Sequence, residues 1–598
     1  MDLATSLRTH ACGALRSEHV GQTVTLCGWV SRDRDHGGVL FWDLRDREGI
    51  VQVVFHPEEH ADAHSTAAKV RGESVVQVKG TVSPRKEGTV NPGLATGEVE
   101  VIANAVEVLS EADTPPFPIE DRIEVGEDLR LRYRYLDLRR PEMTRVLRAR
   151  HIINRVIRDY MDANGFLEVE TPYLTRSTPE GARDFLVPAR QSPGNFYALP
   201  QSPQQLKQLL MVAGQDRYYQ IVRCFRDEPS RADRSVEFTQ LDIEMSFVGE
   251  DDIMALIEPL MVSLVRETHG VEVPTPFPRM TYAEMMARYG SDKPDLRYGM
   301  ELADLGGVFA ATGFKAFSGA LEAGGIIKGL AVPGGGDLSR KELDELVTAV
   351  KGTGAAGLVW MVAETEGVRS PVEKFLTGEE IEAVKQATGA TPGDLILIVA
   401  DAATRANVAL DFLRRRMAER MGLIDADAWA FCWMTEPPLF EWSEEEGRWT
   451  SVHHPFTSPA SDDLDPETAT ARAYDLVLNG FELGGGSIRI HRPDVQERVF
   501  TALGLSDEET QEKFGHLLAA FRYGAPPHGG LAFGMDRIVM LLTGKDAIRD
   551  VIAFPKTQSG ADPLTGAPAP VSQEQLDELA LAVTAEPEPD DEAGREEE

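Results

Sequence analysis

At 598 residues, 42% hydrophobic and 26% charged, the chain has the composition of soluble globular protein and is too long for a single core; about three to five domains are expected. Its 97 acidic against 61 basic side chains leave a formal charge of −36, which argues against non-specific coating of DNA but not against local patches that meet nucleic acid. MDLATSLRTH lacks the apolar stretch of a signal peptide, LILIVA (395–400) is far too short to span a bilayer, and Cys12, Cys27, Cys224 and Cys432 show no metal-binding spacing, so a reducing cytoplasm and no membrane are expected.

Residues 20–108 alternate with period two. VTLCGWVSR, GVLFWDLRD, GIVQVVF, ESVVQVKGTV and GEVEVIANAVEVL are short β-branched-rich runs punctuated by Gly, Asp and Pro. Five such strands, with a helical segment near 58–71, predict a five-stranded OB-type barrel; another small β-barrel is the alternative. Inside it, RDRDHGGVLFWDLRDREG (32–49) gathers arginines and aromatics into a basic hairpin on an acidic chain. The Pro-rich TPPFPIED (114–121) reads as a linker. VLRARHIINRVIRDYMDANGF then repeats apolar pairs every four residues, Ile152/Ile153, Val156/Ile157 and Tyr160/Met161, which predicts a helix stopped at Asn164-Gly165 and followed by an extended FLEVETPYL.

From 171 to 290, strand-like YYQIVRCFRDE and FTQLDIEMSFV lie among charged loops. Across 291–425, AATGFKAF, GGIIKGLAVPGGG and AAGLVWMVAE read as strands and SRKELDELVTAV as a helix, with no catalytic constellation; this predicts an α+β insertion. After 426, AFCWMTE, GFELGGGSIRI and GLAFGMDRIVMLL return to strand–turn–helix, so 141–290 and 426–560 are expected to form one interrupted domain. The boundaries are then 1–108 for the barrel, 109–140 for a hinge, and 561–598 for an extension whose end, AEPEPDDEAGREEE, has a disordered composition.

Four segments carry chemistry. FRDEPSRADRSVEFTQLDIE (225–244) sets Arg226, Arg231 and Arg234 beside Asp227, Glu228, Asp233, Glu237, Asp242 and Glu244. Guanidinium forks suit phosphates and carboxylates, so two strands and their loop can hold a triphosphate; a solvated salt-bridge hairpin is the plain alternative. In GFELGGGSIRIHRPD (480–494), consecutive glycines let backbone approach a ligand, and Asp475 with Glu482 can hold Mg²⁺ together with phosphates. Arg489 has the opposite parity to Glu482 and would serve another end of the ligand. In PPHGGLAFGMDRIVMLLTG (526–544), Gly534 leads into Met535-Asp536-Arg537 at a helix start, where an arginine suits phosphate. TPEGARDFLV (178–187) holds Glu180 in a Gly-flanked loop that can close over a substrate, and LPQSPQQLKQLLM (199–211) sets Lys207 on a helix starting after Ser202-Pro203. HHPF (453–456) adds two histidines without a third ligand at metal spacing.

Singly these signals are weak. In sequence, FRDE with ADR and EFTQLD, then GGGSIRIH, then GLAFGMDR resemble the pattern of class II aminoacyl-tRNA synthetases, and VETPYL after a long helix is similar to their first motif. The barrel ahead of the catalytic segments resembles the aspartyl, asparaginyl and lysyl subgroup. YRYLDLRRPEM (133–143), TPEGARDF, LPQSPQQLKQLLM, HHPFTSP and GLAFGMDR, with an insertion, resemble the bacterial-type aspartyl members across residues 1–560. The resemblance implies a multidomain α+β fold: an N-terminal OB-fold β-barrel, an antiparallel-sheet catalytic domain and an α+β insertion. It also implies a homodimer with the first motif at its interface, ATP with Mg²⁺, and a two-step reaction. Aspartate attacks the α-phosphate of ATP to give aspartyl-adenylate and pyrophosphate, and the 3′ end of tRNA then takes the aspartyl group. Such chemistry asks for positioning and charge neutralisation rather than a nucleophilic triad.

By resemblance, Lys207 and Arg489 hold the aspartate side chain with His453 nearby, Glu180 and Asp242 hold its α-amino group, and Gln204 lines the pocket. Arg226 neutralises the α-phosphate and contacts the substrate carboxylate. Glu228 and Phe238 receive adenine, Arg537 sandwiches it and reaches the γ-phosphate, and Asp227, Ser235, Gly534, Met535 and Asp536 complete the nucleotide site. Asp475 and Glu482 hold Mg²⁺. The chain departs from the family at Pro229-Ser230, usually Asp-Leu, and at Ser235-Val236, usually Gln-Pro, so a contact made by that glutamine side chain does not transfer to Ser235.

The basic hairpin then reads as an anticodon platform. Phe41 matches the stacking position, worth about 1–3 kcal/mol per base, and Arg34, Gln52 and Glu98 match base-contacting positions. Trp29 and Trp42 read as barrel core. His36 with Gly88 resembles the subgroup that charges both tRNA-Asp and tRNA-Asn, because a histidine can donate or accept toward C or U and a glycine removes a side chain that would exclude one. A strictly discriminating aspartate–tRNA(Asp) ligase is the alternative. An aspartate–ammonia ligase on the same catalytic fold, which needs no anticodon reader, and a non-catalytic paralogue are the more distant ones.

Overall fold

The computed structural model describes residues 4–177, 182–444 and 446–585; Glu180 and the acidic end of the chain lie outside them. Two compact units result: Met1–His151 with Pro229–Asp233 and Thr543–Pro570, and Ile152–Glu228 with Arg234–Leu542 and Val571–Glu598.

In the first unit the alternating runs form β1 (Thr23–His36), β2 (Val39–Asp46), β3 (Gly49–Phe55), β4 (Val75–Pro84) and β5 (Val99–Ser110), closed in the order β1-β2-β3-β5-β4. This is the OB arrangement, with β3 and β5 parallel and the other pairs antiparallel. Every second side chain points inward: Val24, Leu26 and Val30, Trp42 and Leu44, Val51, Val53 and Phe55, Val76 and Val78, Val99 and Val101. Trp42 is therefore core, edge-on to Phe55 at 4.6 Å. Trp29 is half-buried under the Arg139 guanidinium. His36 pairs with Val39 across a two-residue turn, and Gly37 and Gly38 take φ of +65° and +91°. A tight right-twisting hairpin needs positive φ at both positions, which explains the HGG of this sequence.

The motif YRYLDLRR proves to be a staple. Asp137 is fully buried between Arg134 and Arg140, the latter donating Nε to Oδ1 at 2.7 Å. Arg134 also donates to the carbonyls of Ala553 and Ile552, both at 2.9 Å, which ties the segment to the chain 400 residues on.

The second unit is built on an eight-stranded sheet in the order Arg279–Thr281, Phe431–Thr435, Ala473–Leu478, Phe481–Ile488, His528–Gly534, Glu237–Ser246, Arg217–Phe225, Leu167–Glu168. It is antiparallel except at its two edges. Of the expected extended FLEVETPYL, only Leu167–Glu168 pairs into it; the segment soon meets Pro172, which has no N–H for a ladder.

Residues 303–401 carry a separate five-stranded sheet in the order Ala303–Asp304, Ile326–Val332, Leu395–Asp401, Val359–Ala363, Val368–Arg369. Both its faces are covered. Leu330, Leu395, Leu397 and Val399 pack on one side with Leu346, Leu410 and Leu413, whereas Ile327, Ile396 and Ile398 pack on the other with Phe317 and Val384. Double coverage is why LILIVA is apolar without alternation. AATGFKAF, expected as a strand, instead leads into the helix Lys315–Glu322. Phe314, Phe317 and Leu321 recur at helical spacing, and Phe317 packs on Phe309 at 4.6 Å. None of the four cysteines is in a disulfide, and no helix among the described residues is long and apolar enough to cross a membrane.

Candidate active site

Three neighbouring strands of the large sheet, Glu237–Ser246, His528–Gly534 and Phe481–Ile488, form the site's floor. Period two puts Phe238, Asp242 and Glu244 on one face of the first. Glycines opposite two of the site's carboxylates, Glu244 and Asp475, make room. A Cβ at Gly530, which pairs with Glu244, would overlap the Glu244 carboxylate, and one at Gly485, which pairs with Asp475, would overlap Asp475 Oδ1. The run of glycines thus lets charged side chains lie flat over backbone.

Two cations meet two anions over this floor, all fully buried. Lys207, on the helix Gln204–Val212, donates Nζ to Asp242 Oδ1 at 3.0 Å and lies 3.4 Å from Glu244 Oε2. Arg489 forks onto Glu244, Nε to Oε1 at 2.9 Å and Nη2 to Oε2 at 3.0 Å. Its Nη1 donates to Ser487 Oγ at 2.7 Å and to His454 Nε2 at 2.6 Å. Burial raises both carboxyls. Arg489 and Lys207 overrule it at Glu244, which ends below the usual carboxylate range, whereas Asp242 stays raised. Asp242 Oδ2 has no partner among the described residues.

The histidines are held neutral. Burial, then Arg489, takes His453 down to about 4 and drives His454 well below its ordinary value. A guanidinium can only donate, so His454 Nε2 carries a lone pair. His453 Nε2 is buried without a partner among the described residues.

Arg226 lies with its guanidinium 5.1 Å from the Phe238 ring, and its buried Nε also has no partner among the described residues. Buried polar atoms left open in this way mark places where a ligand completes the bonding. Glu228 receives Arg234 at 3.3 Å, and the Asp227 amide donates to the Arg183 carbonyl at 3.0 Å. Ser235 is buried just ahead of the strand. Gly534 pairs with Gln240, and Met535–Leu542 is the helix that follows. Met535 is fully buried, and buried Asp536 accepts the Thr239 amide at 2.8 Å, so these two fix strand to helix. Arg537 donates to the Glu482 carbonyl, which joins the last two motifs.

Asp475 is buried with Oδ1 unpartnered among the described residues; burial and then Glu482 push its carboxyl well up. No group of three or more His, Cys, Asp or Glu among the described residues is placed to hold a metal on protein atoms alone. An open buried carboxylate oxygen beside a second carboxylate fits Mg²⁺, which takes few protein ligands and shares phosphate oxygens and water.

Lys207, Arg489 and Asp242 are thus brought into one region around Glu244, with Gln204 on the Lys207 helix, as are Arg226 with Phe238, and Arg537 with Glu482. Gln208, His528 and Ser487 were not anticipated, and Glu244 and His454 stood out only as members of the charged segment 225–244 and of HHPF. Glu244 was legible by parity with Asp242; the others needed the strand register.

On the barrel, Arg34 pairs with Phe41 and donates to Asp43 Oδ1 at 2.7 Å. Asp43 pairs with Gln52, and Gln52 donates to Glu100 at 2.8 Å. Because Trp42 and Leu44 point inward, Phe41 and Asp43 line the outer face. His36 lies edge-on to Phe41 at 5.6 Å and is exposed. Glu98 is exposed and accepts Ser17 Oγ; Gly88 sits in the β4–β5 loop at φ +81°.

Residues 126–558 match the family model of class II tRNA synthetases (D, K and N), and residues 24–109 that of the OB-fold nucleic acid binding domain. The chain is 57% identical to "Aspartate--tRNA(Asp/Asn) ligase" of Moorella thermoacetica, covering 97% of each. It is 54% identical to "Aspartate--tRNA ligase" of Bacillus licheniformis, covering 96% of this chain and 98% of the relative. Among solved structures, the asparaginyl-tRNA synthetase of Pyrococcus horikoshii complexed with asparaginyl-adenylate superposes with a TM-score of 0.58 at 20% identity, covering 92% of this chain and 98% of the other.

Proposed function

Since the chain belongs to the class II tRNA synthetases of the D, K and N group, we propose that it activates L-aspartate with ATP and transfers it to tRNA-Asp and tRNA-Asn. The observation that carries the substrate is the buried pair Lys207 and Arg489, steadied by Asp242 and Glu244. An aspartate side-chain carboxylate takes charge-assisted bonds from both cations. Neutral asparagine would turn an amide donor toward donors, a strong penalty in a buried site. The α-ammonium goes to the Asp242 side, with Gln204 on the same helix as Lys207.

Activation needs the α-carboxylate and the α-phosphate, both anionic, held together in line. Arg226 lies between them and offsets their repulsion, Phe238 stacks adenine with Glu228 at its edge, and Arg537 closes the far side. Asp475 and Glu482 would hold Mg²⁺, which supplies further charge neutralisation to the triphosphate. The neutral histidines keep the pocket from gaining cationic charge beyond that of the clamp. Residues 141–290 and 426–560 carry this chemistry, 109–140 is the hinge, and 291–425 is an insertion. The working form is a cytoplasmic homodimer.

The outer face of the barrel, with Arg34, Phe41, Gln52 and Glu98, reads the anticodon, and His36 with Gly88 tolerates both C and U at its third base. The OB-fold match disfavours an aspartate–ammonia ligase. Aspartate-dependent ATP–pyrophosphate exchange, followed by charging of tRNA-Asp and tRNA-Asn transcripts, tests the reading. Absence of exchange overturns it; charging of tRNA-Asp alone leaves strict discrimination.

A further inference from the structure

Behind the anion clamp runs a relay whose direction is chemically determined. His528 Nδ1 lies 2.7 Å from the Pro526 carbonyl, and a carbonyl only accepts, so Nδ1 carries the proton. His528 is fully buried, and burial holds its ring neutral against the pull of Glu244. A neutral ring with its proton on Nδ1 has a lone pair on Nε2, which faces Gln208 Nε2 at 3.2 Å. The Gln208 amide is thereby turned, its NH₂ toward His528 and its Oε1 toward Gln204. Gln204 Nε2 donates to that oxygen at 3.2 Å. The Gln204 amide is turned in the same sense: its NH₂ serves Gln208, and Oε1 remains the acceptor end. Gln204 stands one helical turn before Lys207 on the same face.

We propose that Gln208 and His528 are positioning residues that present the Gln204 carbonyl oxygen, rather than its NH₂, to the α-ammonium of aspartate. The inference rests on the aspartate-activating reading above. A reversed amide would offer a donor, which attracts a carboxylate and favours binding the amino acid end for end. His528 also accepts the Arg489 amide on its own carbonyl at 2.9 Å, so one residue registers both ends of the substrate site.

Succinate, which keeps both carboxylates and lacks the ammonium, is the diagnostic probe. In pyrophosphate exchange by the full-length chain, Gln208→Leu should raise KM for aspartate about tenfold, the worth of one buried hydrogen bond. KM for ATP and the inhibition constant of succinate should stay within about twofold. Gln208→Glu, which still accepts from Gln204, should recover most of the loss. His528→Asn, which keeps a donor toward Pro526 and loses the Nε2 acceptor, should repeat the selective effect in a conservative frame. Parallel weakening of aspartate and succinate, or an unchanged KM for aspartate, in either Gln208→Leu or His528→Asn overturns the relay. Absence of exchange in the wild type overturns the functional reading instead.

Discussion

Arg489 and Glu244 meet fork to fork, Nε to Oε1 at 2.9 Å and Nη2 to Oε2 at 3.0 Å, with neither side chain reaching solvent. Lys207 approaches the same carboxylate at 3.4 Å, so Glu244 is the anion about which the cationic clamp is built. Glu244→Gln keeps the shape, removes the charge and turns an NH₂ toward a donor. Charge-assisted bonds are worth about 1.5–3 kcal/mol, so KM for aspartate should rise roughly 10- to 150-fold. KM for ATP should change little. A rise confined to ATP would show that the clamp faces the nucleotide.

The three consecutive glycines of GFELGGGSIRI, Gly484 to Gly486, should separate activity from stability. A Cβ at Gly485 overlaps only the end of the Asp475 side chain, which can swing away. Gly485→Ala should therefore melt near the wild type and lose at least about 100-fold in exchange rate, about 2.7 kcal/mol in the barrier. At Gly484 and Gly486 the added Cβ meets the backbone carbonyls of Ala532 and Gly530. Those substitutions force the sheet apart and should lower the melting temperature. Thermal melts beside exchange rates at saturating substrate distinguish the two classes.

His453 sets a pH dependence of stability. Its native value of about 4 lies below the ordinary 6.5, so between these pH values the unfolded chain binds the proton and the native chain does not. The contribution is fully present above about pH 6.5 and is lost as pH falls toward 4, amounting to roughly 2 kcal/mol by pH 5. Neutral His454, depressed in the same direction, adds to the trend. Denaturation midpoints at pH 7.5 and pH 5 should therefore lie closer together in His453→Gln than in the wild type. Equal spacing would mean that the imidazole takes up its proton in the folded state.

Much of the site was legible because its residues sit on regular strands. Parity places Asp242 and Glu244 on one face, and glycines opposite carboxylates are what flat-lying side chains require. Register between distant strands was not legible. That Gly485 faces Asp475, that Arg489 forks onto Glu244, and that His528 reaches Gln208 depend on which strands neighbour which. YRYLDLRR marked the family resemblance without showing a role, and only the buried Asp137 between Arg134 and Arg140 shows that it serves packing. AATGFKAF misled because a short apolar run fits either period, and only the contact of Phe317 with Phe309 decides for the helix.

Phe41 and Phe55 give the barrel a paired test. Phe41 lies on the outer face beside Arg34 and His36, whereas Phe55 is fully buried against Trp42. Stacking on an unpaired base is worth about 1–3 kcal/mol, so Phe41→Ala should raise KM for tRNA roughly 5- to 150-fold. The melting temperature should barely move, and pyrophosphate exchange, which uses no tRNA, should be unaffected. Phe55→Ala opens a cavity in a closed barrel and should cost about 3–5 kcal/mol of stability. If Phe41→Ala instead destabilised the barrel and left tRNA affinity intact, the outer face would not be the stacking platform, and the anticodon would have to meet a different surface of the chain.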